Sequence, residues 1–240
     1  MLSKRVYISD MHMSSKDRAD DFDTGNGNKE TMMINFMKNI FNNNGEVWLL
    51  GDIFDVEQCD ILDILDRYKE LIQTMVYGYK YGCLKLICGN HDIKLYEPLK
   101  SIGIETARIV VINSLAGDYG ILLMHGHQFD HLCKNDTLFQ RTVIKVSGYL
   151  EHIIPKIDAI NPKLLQRNKP ELYYDEAIKY AIQRNISAVV MGHTHRLKII
   201  TTNSLVKVYN TGCCTNSHMD YIFENSDGVW SGMSVNNSIG

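Results

Sequence analysis

Val47-Trp48-Leu49-Leu50-Gly51-Asp52-Ile53-Phe54-Asp55 decides the reading of this chain. Val47 to Leu50 are four apolar residues in a row, the pattern of a strand buried on both faces. The run ends in Gly51 and then in the Asp52 carboxylate. An open α/β sheet places its chemistry in the crevice beyond the carboxyl ends of its strands, and a carboxylate there can bridge two metal ions. The remaining question is whether other strands bring ligands to the same edge.

Working outward, Arg5 to Ile8 reads as a first strand followed by Ser9-Asp10-Met11-His12. The polar stretch Ser14 to Lys29 reads as a loop that contributes no core element. Met33, Ile34, Met37, Ile40 and Phe41 have helical spacing within Glu30 to Asn43. A second helix is expected over Asp60 to Tyr81, then a strand Leu84 to Cys88 ending in Gly89-Asn90-His91-Asp92, and a short helix over Leu95 to Ser101. Arg108 to Ile112 is β-rich. Ile121 to Met124 is a strand that ends in His125-Gly126-His127, and Ala188 to Met191 ends in Gly192-His193-Thr194-His195. The tail reads as strands: Leu197 to Thr201, Leu205 to Tyr209, Met219 to Phe223 and Val229 to Val235, the last two joined by a turn at Asn225 to Gly228. Residues 128–184 exceed what a crossover needs. Within them Phe139, Val143, Val146, Leu150, Ile153 and Ile157 mark an amphipathic helix, and another covers Tyr173 to Ile182. This helical insert reads either as a cap over the sheet edge or as a helical pair completing the core. No repeat or linker divides the chain, so 1–240 is read as one domain.

Composition narrows the class. The chain has 240 residues, 45% hydrophobic and 22% charged, with a net charge of −3, as in ordinary globular proteins. That charge argues against a nucleic-acid binder relying on bulk positive charge. No secretory signal and no membrane-length apolar run are read from the sequence. The six cysteines form no CxxC pair and read as reduced thiols. A cytoplasmic location is the expectation.

Five predicted strands therefore end in metal-capable groups: Asp10 and His12; Asp52; Asn90; His125; His193 and His195. Each motif alone is commonplace, because Asn and Asp favour turns. Five in order, each closing an apolar run, are not. Asp-x-His and His-x-His put two side chains on one side of an extended strand end. Mixed N/O ligands suit Mn²⁺, Fe²⁺, Zn²⁺, Co²⁺ or Ni²⁺ better than Ca²⁺. Two ions about 4 Å apart clamp an in-line displacement at phosphorus and make hydroxide available at neutral pH. His91 has a side chain suited to stabilising charge or protonating a leaving oxygen. His127 lies near the site, either contacting substrate or orienting a ligand.

Asp10-x-His12, Gly51-Asp52-x-x-Asp55, Gly89-Asn90-His91-Asp92, His125-Gly126-His127 and Gly192-His193-x-His195 resemble the five blocks of the calcineurin-like metallophosphoesterases. The resemblance covers Arg5 to about Thr215. It implies a four-layer α/β/β/α sandwich with a dinuclear metal centre, Mn²⁺ being the first expectation. One ion would take Asp10, His12, Asp52 and His195; the other would take Asp52, Asn90, His125 and His193. His91 would face the substrate and Asp55 would orient it.

The protein Ser/Thr phosphatases of that family typically carry Arg-Gly after the second block and Glu at the end of the third. Here Val56-Glu57 and Asp92 stand there. The chain length, Leu50-Gly51-Asp52-Ile53-Phe54-Asp55, the insert, and Tyr209-Asn210-Thr211-Gly212 are more similar to the UDP-2,3-diacylglucosamine pyrophosphatase group. That group hydrolyses a nucleotide-sugar diphosphate in lipid A synthesis. His91 stands where that group commonly has Arg, which keeps a general phosphodiesterase or phosphomonoesterase open. The implied partner is a phosphoester substrate, such as a nucleotide-linked or lipid-linked diphosphate, with peripheral membrane contact through 128–184.

Overall fold

Period-2 alternation along the apolar strands distributes their side chains to opposite faces, and here both faces are covered. The computed structural model describes residues 3–15, 20–23, 28–57, 59–129, 170–201, 205–215 and 218–236. Strand β1 (Lys4–Ile8) is followed by helix α1 (Asn28–Asn42), β2 (Gly45–Leu50), α2 (Ile61–Arg67), α3 (Lys69–Lys80) and β3 (Leu84–Ile87). A 3₁₀ turn (Ile93–Leu95) then leads into α4 (Tyr96–Ser101), β4 (Thr106–Ala107), β5 (Ile109–Asn113) and β6 (Gly120–Met124). A second 3₁₀ turn (His127–Phe129) precedes α5 (Pro170–Ile182), β7 (Ala188–Met191), β8 (Leu197–Thr201), β9 (Lys207–Thr211), β10 (Cys214–Thr215), β11 (His218–Asn225) and β12 (Trp230–Asn236).

These strands build two sheets. The first runs β10-β11-β1-β2-β3-β4, with β12 also paired to β11. Strands β1 to β4 are mutually parallel, and β11 is antiparallel to β1. The second runs β5-β6-β7-β9-β8, with β6, β7 and β9 parallel and antiparallel strands at both edges. Val6, Ile8, Val47 and Leu49 pack outward against Met33 and Met37 of α1 and Leu71 and Met75 of α3. Their neighbours Tyr7, Trp48 and Leu50 point the other way, onto Ile121, Leu123, Val190 and Tyr209 of the second sheet. Leu122, Met124, Val189 and Met191 then pack against Tyr174, Ala177 and Ala181 of α5. The result is helices, sheet, sheet, helix: the α/β/β/α layering.

Several local expectations are corrected. The helix expected over Asp60 to Tyr81 is two helices that meet at Tyr68 (φ −102°, ψ 33°). Tyr68 leaves helical geometry where its ring is drawn inward against Phe22 and its hydroxyl donates to Asp20. The Ser14 to Lys29 stretch does enter the core: Phe22 is fully buried, and Asp20, Asp23 and Lys29 are buried with it. Its polar groups hid this, because they are satisfied internally. Asp20 accepts from the backbone N–H of Phe22 and Asp23, and Arg67 lies 3.1 Å from its carboxylate. The two-residue strands β4 and β10 are too short to carry a sequence pattern. Strand β9 sits two residues later than expected. The amphipathic helix expected over Phe139 to Ile157 lies outside the described residues, as does most of the insert. Among the described residues, no helix is long and apolar enough to cross a membrane.

A buried carboxylate joins the two sheets. Glu224 of β11 accepts from the Tyr7 hydroxyl at 2.9 Å and from the backbone N–H of Leu115, just beyond β5, at 2.7 Å. Arg5 lies 3.5 Å from Glu224 and donates to the Asn113 carbonyl of β5 at 2.6 Å. Removing one member of such a buried set leaves the others uncompensated, at a typical cost of about 3–5 kcal/mol. Glu224→Ala is therefore expected to lower the unfolding free energy by about 3 kcal/mol, read from the urea midpoint. A loss under about 1 kcal/mol would show that the brace contributes little.

Candidate metal centre

The polar residues after β1 and β2 continue the parallel pairing of those strands for several residues. Asp10 N–H donates to the Gly51 carbonyl, His12 N–H to Asp52 and Met13 N–H to Ile53, each at 3.0 Å. In the second sheet, the Gly192 N–H donates to the His125 carbonyl at 2.9 Å. The strand-end loops are thus fixed to one another before any side chain acts.

The backbone bends sharply at the polar residues themselves. Asp10, His12, Asp52, His193 and His195 all have left-handed φ, between 51° and 72°. Asp and His tolerate this region better than most residues. Each still costs on the order of 1–3 kcal/mol, a form of strain that clusters at functional sites. Close packing adds a glycine requirement: a Cβ on Gly89 would collide with the backbone and carboxylate of Asp52.

The side chains converge across the two sheets. Asp10, His12 and His195 bring one ligand atom each within 4.8 Å of one another, and so do Asp52, His125 and His193. His195 Nε2 is 3.1 Å from Asp10 Oδ1, and His125 Nε2 is 3.0 Å from Asp52 Oδ2. The Nε2 atoms of His12 and His195 face each other at 3.4 Å. His125 Nδ1 donates to the Leu50 carbonyl at 2.8 Å, which turns Nε2 toward the carboxylates. Asp52 also accepts from the His91 N–H at 3.0 Å, and Asp10 from the His193 N–H at 3.0 Å. His91 Nδ1 lies 3.3 Å from Asp55 Oδ1 and 3.9 Å from Glu57. His127 lies beside His125, with ring centroids 5.5 Å apart, and its buried Nδ1 has no hydrogen-bond partner.

Burial alone would raise both carboxyl pKa values. His195 and His125 outweigh this at Asp10, and His125 and His91 do so at Asp52, holding both below the usual carboxylate range. Burial likewise disfavours the His125 cation, but Asp52 and Asp10 push it up to about 10. Burial and neighbouring His125 hold His127 down at about 3. The site thus demands compensating positive charge.

Three buried atoms, Asp10 Oδ1, Asn90 Oδ1 and His125 Nε2, make no hydrogen bond, although carboxylate and imidazole atoms lie within 3.1 Å of one another. Close polar atoms that are not aligned with each other suit a shared cation. The oxygen and imidazole donors fit a borderline divalent metal.

Supporting residues that the sequence motifs did not assign also appear. Asp92, fully dry, accepts from the N–H groups of Phe54 and Gly89 at 3.0 Å and of Ile53 at 3.4 Å, tying two ligand loops together. Burial and the Asp52 charge push its pKa up to about 6. The Ser9 hydroxyl donates to Asp10 and pairs with Thr211, while Asn210 donates to the Gly192 carbonyl at 2.7 Å. The only advance signal for these was position beside Asp10, within the Asn90 block or within the Tyr209 to Gly212 motif. Asp92→Asn would turn an amide N–H toward backbone donors. It is expected to weaken metal affinity about 10- to 100-fold, measured by metal titration. Unchanged affinity would reduce Asp92 to a folding role.

The calcineurin-like phosphoesterase family model matches residues 4–197. None of the curated proteins compared matches the chain. Solved structures to which the chain is similar include an archaeal phosphodiesterase, 16% identical, covering 97% of this chain and 99% of that one at a TM-score of 0.48. A predicted phosphoesterase from Streptococcus pneumoniae is 13% identical, with 97% and 98% covered and a TM-score of 0.42. Vps29 from Entamoeba histolytica, crystallised with zinc, is 14% identical, with 97% and 98% covered and a TM-score of 0.42. With the family model matching well over half of its length, the chain belongs to the calcineurin-like phosphoesterase family.

Proposed function

We propose that this chain hydrolyses phosphoesters at a dinuclear divalent-metal centre, with Mn²⁺ as the first metal to test. The convergence of Asp10, His12 and His195 and of Asp52, His125 and His193, with the unpartnered Asp10 Oδ1 and His125 Nε2 4.0 Å apart, carries the reading. Asp10, His12, Asp52 and His195 would hold one ion and Asp52, Asn90, His125 and His193 the other. Bound there, such ions polarise phosphoryl oxygens and lower the pKa of water toward neutrality.

The chain's own groups then orient the substrate and move protons. His125 is held by the Leu50 carbonyl, so its ring cannot turn away from the centre. His91, with Nδ1 at Asp55, is assigned to the leaving oxygen through Nε2, with Asp55 as its positioning residue. His127, a neutral imidazole beside His125, is assigned to substrate contact.

For the substrate, we propose a diphosphate of the UDP-2,3-diacylglucosamine type, on the support of the sequence blocks. A pocket is lined by Cys88, two residues before Asn90, with Tyr96, Thr106, Ala107 and Arg108. The insert at 128–184, within a single domain spanning 1–240, is assigned to substrate choice. Its described end touches the site: the Tyr174 hydroxyl pairs with Thr194 at 3.0 Å, and the Tyr173 ring packs on His193. Free thiols at all five described cysteines accord with a cytoplasmic setting.

Purified protein with Mn²⁺ should hydrolyse bis-p-nitrophenyl phosphate or p-nitrophenyl phosphate, and a panel of nucleotide-sugar diphosphates would rank natural substrates. Activity on none of these would favour a scaffold of the same fold. Asp52→Asn should lose activity together with most bound metal; unchanged content and turnover would sink the shared-carboxylate reading. His91→Ala should keep its metal and lose about 10²- to 10⁴-fold in kcat/KM on alkyl esters, with a smaller loss on nitrophenyl esters, whose leaving group needs no proton. A uniform loss across leaving groups would instead place His91 on the phosphoryl oxygens.

A further inference from the structure

We propose that Cys213, His218 and Asp220 form a second, thiolate-containing cation site of the zinc class, separate from the centre at the sheet edge. His218 and Asp220 are alternate residues of β11, so they project to one face. The Asp220 N–H donates to the Cys213 carbonyl at 3.0 Å, which sets the cysteine opposite the carboxylate. Cys213 Sγ is 3.4 Å from His218 Nε2, and His218 Nε2 is 3.5 Å from Asp220 Oδ2. All three ligand atoms lie within 4.8 Å of one another.

Cys213 and Asp220 are each only 6% exposed, whereas the His218 side chain is 32% exposed and gives an entry path. Cys214 turns instead into the helix-side core with Met219. The Lys29 ammonium donates to the carbonyls of Thr215 and His218 rather than to the three ligand atoms. A thiolate in the set selects zinc over magnesium, calcium or manganese. Three protein ligands leave the fourth tetrahedral position to water.

Burial pushes the Cys213 thiol up to about 11, so the metal must displace its proton. On binding, the S–H bond breaks, the sulfur lone pair forms the S–metal bond and the proton passes to solvent. The site adjoins the catalytic edge through the backbone, because the Cys214 N–H donates to the Asp10 carbonyl at 3.1 Å. An ion there would brace the loop behind Asp10.

A thiolate-to-cobalt signal distinguishes this site from the sheet-edge centre, which offers only nitrogen and oxygen ligands. Titrating Co²⁺ into the metal-free full-length protein should produce a thiolate-to-cobalt charge-transfer band in the near ultraviolet. The band should be bleached by Zn²⁺, abolished in Cys213→Ser and Asp220→Asn, and retained in Asp52→Asn. Retention in Asp52→Asn separates this site from the proposed dinuclear centre. If Cys213→Ser does not fold, His218→Ala must show the same loss. Absence of the band in the native protein, or its persistence without Cys213 or His218, overturns the proposal.

Discussion

Two buried carboxylates face imidazoles from the opposite sheet, and the rest of the structure is arranged around that pairing. Asp10 meets His195, and Asp52 meets His125, each near 3 Å, with both carboxylates buried. Two carboxylates this deep repel one another and are costly to desolvate. Imidazoles from across the sandwich, with His91 from the loop after β3, hold them ionised. A divalent cation meets the same demand more strongly than imidazolium, which is why the same atoms read as ligands.

That pairing requires the two sheets to be held at a fixed separation and register. The middle core does this with large side chains: Tyr7 stacks on Trp230 at 5.4 Å, and Trp230 on Tyr209 at 4.4 Å. The Arg5 and Glu224 brace adds a polar tie at the other end of β1. The helices play a different part. They cover the outer faces, so that central strands such as β2 and β7 can be apolar on both sides and keep their polar groups for their ends.

The cost of concentrating polar groups at strand ends appears in the backbone. Five of the converging residues adopt left-handed conformations, and buried Asp92, Ser9 and Asn210 hold the bends through hydrogen bonds to backbone or carboxylate. Strain of this kind persists only where the surroundings over-determine it. The supporting residues are therefore as much a part of the site as the groups that converge there.

The sequence by itself determined the strand ends and what they carry. Val47 to Leu50 and Ala188 to Met191 are apolar on both faces, and each is followed by glycine and a metal-capable side chain, so local pattern was enough. Local pattern also placed α1 and the strands of the tail, with β9 two residues later than expected. It failed at Tyr68, where an otherwise continuous helical spacing is bent by a ring drawn toward Phe22, and at Asp20, whose burial rests on partners far along the chain. It could not give Asp92 its role or bring Cys213, His218 and Asp220 together, because those relations depend on loop register and hairpin pairing. Which imidazole faces which carboxylate was likewise decided only when two sheets, each specified locally, packed face to face through side chains remote in sequence.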